Sequence, residues 1–406
     1  MSKIKKKKAA LFALEIVLLL LFLAALYVYG RVSESMDKIE QPVLEEERIV
    51  VNDQAPQMSG YDTYALFAVD SRKYREDMKG ENSDTIIIAS VNNDNKDIKL
   101  VSVYRDTLMN IGWGNYTKAN ASYSYGGPEQ AISMLNTSLD LNITDYATVD
   151  FSAMATIVDL LGGLDIPMSY AEIEHMNNYC KETSKETGLS YTPIEKPEPA
   201  PPLEKQEEII GTYHLNGVQV TSYCRIRYTA SMDMGRTERQ RRVIQMITSK
   251  AKTAGLTTLF EIMDQVFPMV QTSVSKTEIL QLIPAMLGYS LDETTGFPFN
   301  YEFVKINDAD FIVPTSLITN VQELHEFLYG ETDYQPSREV QAASDRILGI
   351  AEEATNSGGY LEGVGGEKAL MWNYEEDSYD YDTDDSGNSD YSEDYDTDSY
   401  SDEEYY

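Results

Sequence analysis

Residues 64–69 (YALFAV), 85–91 (TIIIASV) and 98–104 (IKLVSVY) are short, rich in β-branched side chains and bounded by polar turn residues, and they leave this chain few ways to fold. Runs of this length and composition suit buried strands better than helices. The second and third are joined by Asn92-Asn93-Asp94-Asn95-Lys96, which is turn chemistry, so they form a hairpin. With the first strand running up, the second down and the third up, four polar residues meet at one edge of the sheet. These are Asp70 at the end of the first strand, Asp84 before the second, and Arg105-Asp106 after the third. Each aspartate taken singly is equally a turn or cap residue. Converging beside arginines, the two carboxylates Asp70 and Asp84 make a site for Mg2+ or Mn2+, with substrate phosphate oxygens and water as the other ligands.

The pattern beyond these strands alternates. A helix is expected near residues 129–139, with Ile132, Leu135 and Leu139 inward. A strand follows at 146–151, a helix at 152–161 closed by Gly162-Gly163, and a strand from Leu164. Residues 181–211 hold Pro193, Pro197, Pro199, Pro201 and Pro202 among Lys and Glu, and read as an exposed insertion. Helical patterns recur near 277–288, 321–328 and 336–352, with a strand near 301–305. This alternation indicates an α/β layered domain. The expected organisation is a basic end and membrane span (1–30), a stalk (31–60), a catalytic domain (61–335), a surface helix and linker (336–373) and an acidic tail (374–406).

Cations are concentrated where the overall charge makes them conspicuous. The chain carries a formal net charge of −34, yet Tyr223-Cys224-Arg225-Ile226-Arg227 is followed by Asp233-Met234-Gly235-Arg236 and Arg239-Gln240-Arg241-Arg242. Residues 221–228 read as a strand, which would send Arg225 and Arg227 from one face. Asp233 reads as the N-cap of a helix over about 236–252, on which Arg236, Gln240, Val243 and Ile247 share a stripe. Inward cations need an anionic partner, because an unpaired buried charge is costly. A phosphate or pyrophosphate at a helix N-terminus answers that need. The plainer alternative is that these arginines pair with some of the chain's many carboxylates.

Lys3, Lys5, Lys6, Lys7 and Lys8 precede an apolar run from Ala9 to about Tyr29 that is broken only by Glu15. Its length matches a ~30 Å hydrocarbon core. The flanking lysines set the expected topology as single-pass, with the N-terminus cytoplasmic and the bulk of the chain outside a Gram-positive-type envelope. The tail beyond Tyr374 has no Lys or Arg and no aliphatic side chains, so it is expected to be disordered. Cys180 and Cys224 are expected to remain free thiols. The three histidines form neither a zinc pattern nor a triad. Nucleic acid is excluded as a partner, since the chain outside its N-terminal lysines lacks an extended basic surface.

The motifs together resemble the LytR-CpsA-Psr family. The resemblance rests on Asp70-Ser71-Arg72, Ser83-Asp84-Thr85, Ser102-Val103-Tyr104-Arg105-Asp106-Thr107, and Lys118-Ala119-Asn120 with Tyr125-Gly126-Gly127. It continues through Val158-Asp159 with Leu161-Gly162-Gly163, Leu215-Asn216-Gly217, and Arg225-Ile226-Arg227 through Asp233, Gly235-Arg236 and Arg239-Gln240. It implies an α/β/α fold with a central mixed sheet. It implies an envelope phosphotransferase that moves a glycopolymer, of teichoic acid or capsular polysaccharide type, from a polyprenyl-pyrophosphate carrier to peptidoglycan. Alternatives are a pyrophosphatase and a non-catalytic binder or regulator of lipid-linked glycan. By the resemblance, Asp70 and Asp84 hold the metal, and Arg105, Arg225, Arg227, Arg236 and Gln240 contact pyrophosphate. Asp106, Lys118, Asp233 and Arg239 support the site, with Asp106 or Asp233 as general base. The family often has Arg two positions before the second metal aspartate, where this chain has Asn82.

Overall fold

The structure, a computed structural model, describes residues 28–42, 44–69, 82–227, 229, 232–285 and 288–358. Strands β1 (Tyr61–Val69), β2 (Ser83–Asn92) and β3 (Asp97–Val103) form the expected antiparallel meander. They lie inside a six-stranded sheet of order β10-β3-β2-β1-β6-β9. Strand β6 (Asp145–Asp150) is parallel to β1, and β10 (Ser290–Phe297) is parallel to β3. Strand β9 (Val270–Thr272) closes one edge antiparallel to β6. The sheet is therefore mixed. Its strands alternate in facing, as the period of two requires. Phe67, Val69, Ile86, Ile88, Val101 and Val103 face one side, and Leu66, Ile87, Ala89 and Leu100 face the other.

The first face carries the larger core. Helix α2 (Ala121–Leu139) buries Ile132, Leu135 and Leu139 against it, matching the expected stripe. Helix α2 begins earlier than the sequence pattern indicates and bends at Gly126 and Gly127, where Gly127 has φ +67°. Helices α9 (Leu317–Tyr329) and α10 (Arg338–Asn356) complete that layer. Val340, Ala343 and Ile347 of α10 are buried, so the helix expected on the surface is part of the core. On the other face lies α6 (Met232–Lys252), whose Ile244 packs with Ile87, Ala89, Leu100 and Leu291.

A second core joins α3 (Phe151–Leu160), α4 (Tyr170–Thr187), α5 (Gly217–Arg225) and the hairpin β7 (Leu164–Ser169) with β8 (Ile209–Leu215). Here the structure corrects the sequence. Residues 221–225 are helical, not a strand, because a cap upstream starts α5. Gln219 N donates to Asn216 Oδ1 at 3.1 Å and Asn216 N donates to Gln219 Oε1 at 3.0 Å, a capping box. Gly217 lets α5 approach α3 so closely that a β-carbon there would collide with the Ala155 carbonyl. The expected insertion is also shorter than residues 181–211. Its start continues α4 and its end belongs to β8, while Leu189, Tyr191 and Ile194 pack on this core.

The segment expected as a stalk is docked. Helix α1, described over residues 28–36, places Val32 and Met36 against Met263 of α7 (Leu256–Val266). Further along, Thr272 N donates to Glu40 O at 3.0 Å, and Asn52 Nδ2 donates to Asp140 Oδ1 at 2.6 Å. Apolar residues spaced among the acids give this stretch enough surface to bury. The expected span over residues 9–29 lies almost wholly outside the described residues. Among the described helices none is long and apolar enough to cross a membrane. The tail from residue 374 also lies outside the described residues.

Candidate functional site

The meander brings the start of β2 and the end of β3 together, and the backbone of Asn120 locks them. Asn120 N donates to Arg105 O at 3.1 Å, and Ser83 N donates to Asn120 O at 3.4 Å. Asp84 and Arg105 thus emerge side by side, and their side chains form an ion pair through Asp84 Oδ1 and Arg105 Nη1. Arg227 Nη2 stands 3.7 Å from the same carboxylate oxygen. Arg236, in the second turn of α6, donates from Nη2 to the Asp84 carbonyl at 3.3 Å. Three arginines from three separated segments therefore meet at one aspartate. Arg227 is 43% exposed and Arg105 20%, so the group opens to solvent.

A second carboxylate adjoins this group. Asp106 Oδ1 lies 2.9 Å from Lys118 Nζ and 3.6 Å from Arg105 Nε. Lys118 ends β5 (Tyr116–Lys118), which pairs with β4 (Leu108–Asn110), and its ammonium sits 5.4 Å from the centre of the Phe311 ring. The arrangement is a patch of alternating charge in which cations outnumber carboxylates. Such a patch holds an anion with several oxygens by charge-assisted hydrogen bonds and can neutralise charge that develops on it.

Other expected residues take different positions. Arg225 is directed by the C-terminal end of α5 into a carboxylate pair on α4, with Glu182 at 3.2 Å and Glu186 at 2.9 Å. It also donates to Thr183 Oγ1 at 3.1 Å and lies over the rings of Phe151 and Tyr179. Because residues 221–225 are helical, Arg225 and Arg227 do not share a strand face; Arg225 is braced by α4 while Arg227 reaches Asp84. Arg239 Nη2 donates to Ile226 O at 2.6 Å, and its Nη1 stands 3.5 Å from Glu172 Oε1. Gln240 Nε2 donates to Cys224 O at 3.4 Å. Arg239 and Gln240 thus hold the segment that presents Arg227. The Arg236, Gln240, Val243 and Ile247 stripe does face inward as read from spacing, its lower part on the second core.

Asp70 lies outside the described residues, as does the side chain of Asp233. Asp233 falls in the first turn of α6, not at its cap, since the helix begins at Met232. Cys180 and Cys224 are free and buried; burial pushes their thiols up to about 11 and about 12, so neither is a nucleophile at neutral pH. Sequence reading placed Arg241 in the cationic run without giving it a role, and it is buried along α6; the carboxylate pairing weighed there for Arg225 holds, its partners being Glu182 and Glu186. The N-G-x-Q signature at 216–219 is the signal that marks α5 in advance.

The model of the family described as LytR_cpsA_psr matches residues 26–325. A protein of Halalkalibacterium halodurans named polyisoprenyl-teichoic acid–peptidoglycan teichoic acid transferase TagU is 27% identical over 307 residues, covering 73% of this chain and 89% of the relative. A protein of the same name from Enterococcus faecalis is 31% identical over 258 residues, 62% of this chain and 73% of the relative. Among solved structures, TagT bound to LI-WTA superposes with a TM-score of 0.51 at 19% identity, over 73% of this chain and 97% of that one. A Streptococcus agalactiae protein superposes with a TM-score of 0.53 at 21% identity, over 69% and 90%. These two likenesses speak to the fold.

Proposed function

The chain belongs to the LytR-CpsA-Psr family, and from that premise we propose that it transfers a glycopolymer of teichoic acid type from a polyprenyl-pyrophosphate carrier to peptidoglycan. The observation that carries this reading is the meeting of Arg105, Arg227 and Arg236 at Asp84. The names of the Halalkalibacterium and Enterococcus relatives support the substrate class.

The chemistry follows from charge. A hydroxyl oxygen of the acceptor sugar attacks the glycan-side phosphorus of the pyrophosphate. A new P–O bond forms, the bond to the bridging oxygen breaks, and polyprenyl monophosphate departs with the electron pair. The hydroxyl proton leaves to a base or to water. Negative charge grows on the departing phosphate and on the oxygens of the transferring phosphoryl group. Guanidinium groups already in place stabilise that charge without reorganising. Arg105 and Arg227 are the more exposed members, and so the ones that reach substrate. Arg236 is buried and fixes the β2 edge to α6. Lys118 and Arg105 hold Asp106 in one orientation beside them.

A divalent cation fits the donor chemistry. Asp84 offers a hard carboxylate oxygen at the sheet edge, the ligand type that Mg2+ or Mn2+ takes. Among the described residues no three His, Cys, Asp or Glu side chains converge, so Asp70, substrate oxygens and water would complete the shell. When bound, the ion would neutralise part of the pyrophosphate charge. We also place the chain in the membrane through residues 9–29, with the domain on the outer side.

One assay tests the reading. The full chain in detergent is incubated with a polyprenyl-pyrophosphate glycan, Mg2+ and peptidoglycan fragments, and the phosphate linkage is followed. A phosphodiester to peptidoglycan is expected. Free glycan phosphate would instead indicate a pyrophosphatase, and no turnover a binder. Arg105→Ala is expected to lower transfer about 100-fold or more while the protein stays folded.

A further inference from the structure

Trp113 is placed where it gives the fold nothing. It sits at the apex of the β4–β5 hairpin and is 81% exposed. Its φ is +52°, between Gly112 at +113° and Gly114 at +71°. A bulky side chain in that region is strained, and an exposed one has no burial to offset the strain. The apex is nonetheless fixed. Ile111 N donates to Asn115 O and Asn115 N to Gly112 O, both at 2.9 Å, and Gly112 N donates to Asn110 Oδ1 at 3.1 Å. Leu108, Met109 and Ile111 anchor the hairpin in the core.

A second exposed aromatic joins it. Tyr125 is 62% exposed and precedes the bend of α2. Gly112 and Gly126 both pack on Gln130, so closely that a β-carbon at either would meet that side chain. Gln130 Nε2 in turn donates to Ile111 O. The neighbours of the two glycines, Trp113 and Tyr125, therefore belong to one patch. The patch continues into the charged site. Lys118 pairs with Leu108 at the base of the same hairpin, and the five residues from Trp113 to Lys118 span at most about 16 Å.

The chemistry of the patch selects its partner. In a chain a quarter of whose residues are charged, residues 107–128 hold a single charged side chain, Lys118. The polar groups beside the aromatics are the amides of Asn110, Asn115 and Gln130. A donor polymer of teichoic acid type carries phosphates along its length and would seek cations. An anionic membrane surface would seek them too. A strand of sugar rings needs none. Each ring has a face of C–H bonds that covers an aromatic ring, and its hydroxyl and amide groups pair with side-chain amides.

We propose that Trp113 and Tyr125 form a platform on which the glycan strand of the acceptor, peptidoglycan, stacks, so that a sugar hydroxyl further along the strand comes to Lys118 and Arg105. This rests on the transferase reading above and adds to it the place where the acceptor lies.

The full chain in detergent is tested with peptidoglycan glycan fragments freed of their peptides. Trp113→Asn removes the ring and puts in its place a residue that tolerates positive φ, so its melting temperature is expected to equal or exceed that of the parent. Its KM for the fragments is expected to rise about 10-fold or more, with the KM for the polyprenyl-pyrophosphate glycan unchanged and kcat approached at saturating acceptor. Tyr125→Ala is expected to act in the same direction. Binding is read without turnover in a Trp372→Phe background, where Trp113 is the sole tryptophan. Its emission is expected to shift to shorter wavelength as fragments are added. Unchanged acceptor KM and emission, with Arg105→Ala losing transfer, would overturn the platform and leave the transferase reading standing. A raised KM for the donor alone would make the donor glycan the occupant and overturn the proposal. So would an emission shift on moving the chain from detergent into phosphatidylglycerol nanodiscs, with none on adding fragments. A parent chain that binds fragments at Trp113 but transfers nothing would keep the platform and overturn the transferase reading.

Discussion

Arg225 and Arg227 are two residues apart and have different work. Arg225 sits between Glu182 and Glu186 with aromatic rings beside it, so removing it leaves two partly buried carboxylates without their cation. Arg225→Ala is expected to cost about 1–3 kcal/mol, seen as a lower melting temperature. Any loss of transfer would follow from displacement of the segment behind it. Arg227→Ala is expected to lower transfer strongly with little change in melting temperature, because Arg227 is exposed at 43% and touches only one carboxylate edge. Comparable melting temperatures for the two variants would contradict this division. A different residue sets an acid limit. His325 is fully buried, stacks on Tyr334 with centroids 3.7 Å apart, and donates from Nε2 to Leu139 O at 3.0 Å. Burial lowers its pKa, although Leu139 O and the nearby Asp140 favour the charged form. Glu331 is 4.0 Å from its other nitrogen. The unfolded chain therefore takes up this proton first as pH falls. The contribution of His325 to stability is complete above about 6.5 and is lost toward the lower folded pKa. Thermal melts at pH 7 and pH 5 are expected to show a smaller fall for His325→Gln than for the parent.

At the scale of elements, packing overrode local pattern where apolar surface was available to bury. Helix α1 shows this best. Arg31 Nη2 lies 2.6 Å and Lys38 Nζ 2.9 Å from the Asp264 carboxylate, and Ser35 Oγ donates to it at 2.6 Å. Ser35, then Lys38 and Arg31, hold the Asp264 carboxyl far below the usual carboxylate range. The contribution of the clamp to stability is therefore complete at neutral pH and is lost as pH falls from the ordinary carboxylate range toward that depressed value. Asp264→Ala is expected to free α1 by about 1–2 kcal/mol. Hydrogen exchange would show it as faster exchange over residues 28–38, with the central strands unchanged. The strand-like 221–228 reading failed for a related reason. Its alternation is genuine, but Asn216-Gly217 caps a helix, and the contact of Gly217 with α3 holds that helix in place.

For the whole molecule, a net charge of −34 and a cationic pocket are compatible because the cations are local and inward. Membrane attachment through residues 9–29 is a property of the whole chain and is read by fractionation. After an alkaline wash of membranes the full chain is expected in the pellet, and a chain lacking residues 1–27 in the supernatant. A washed-out full chain would remove the anchor. Much of this organisation was legible beforehand. Short β-branched apolar runs, turn residues and helical stripes are local signals, and they located the meander, α2, α6 and the edge where Asp84 meets Arg105-Asp106. The sequence by itself determined which residue types gather there, since strand direction and turn length leave little freedom in where a meander's ends fall. Only the tertiary structure decided which arginine faces the opening, which is braced by α4 and which is buried along α6. Those outcomes depend on helix rotation and on partners distant in sequence, and no local period records either.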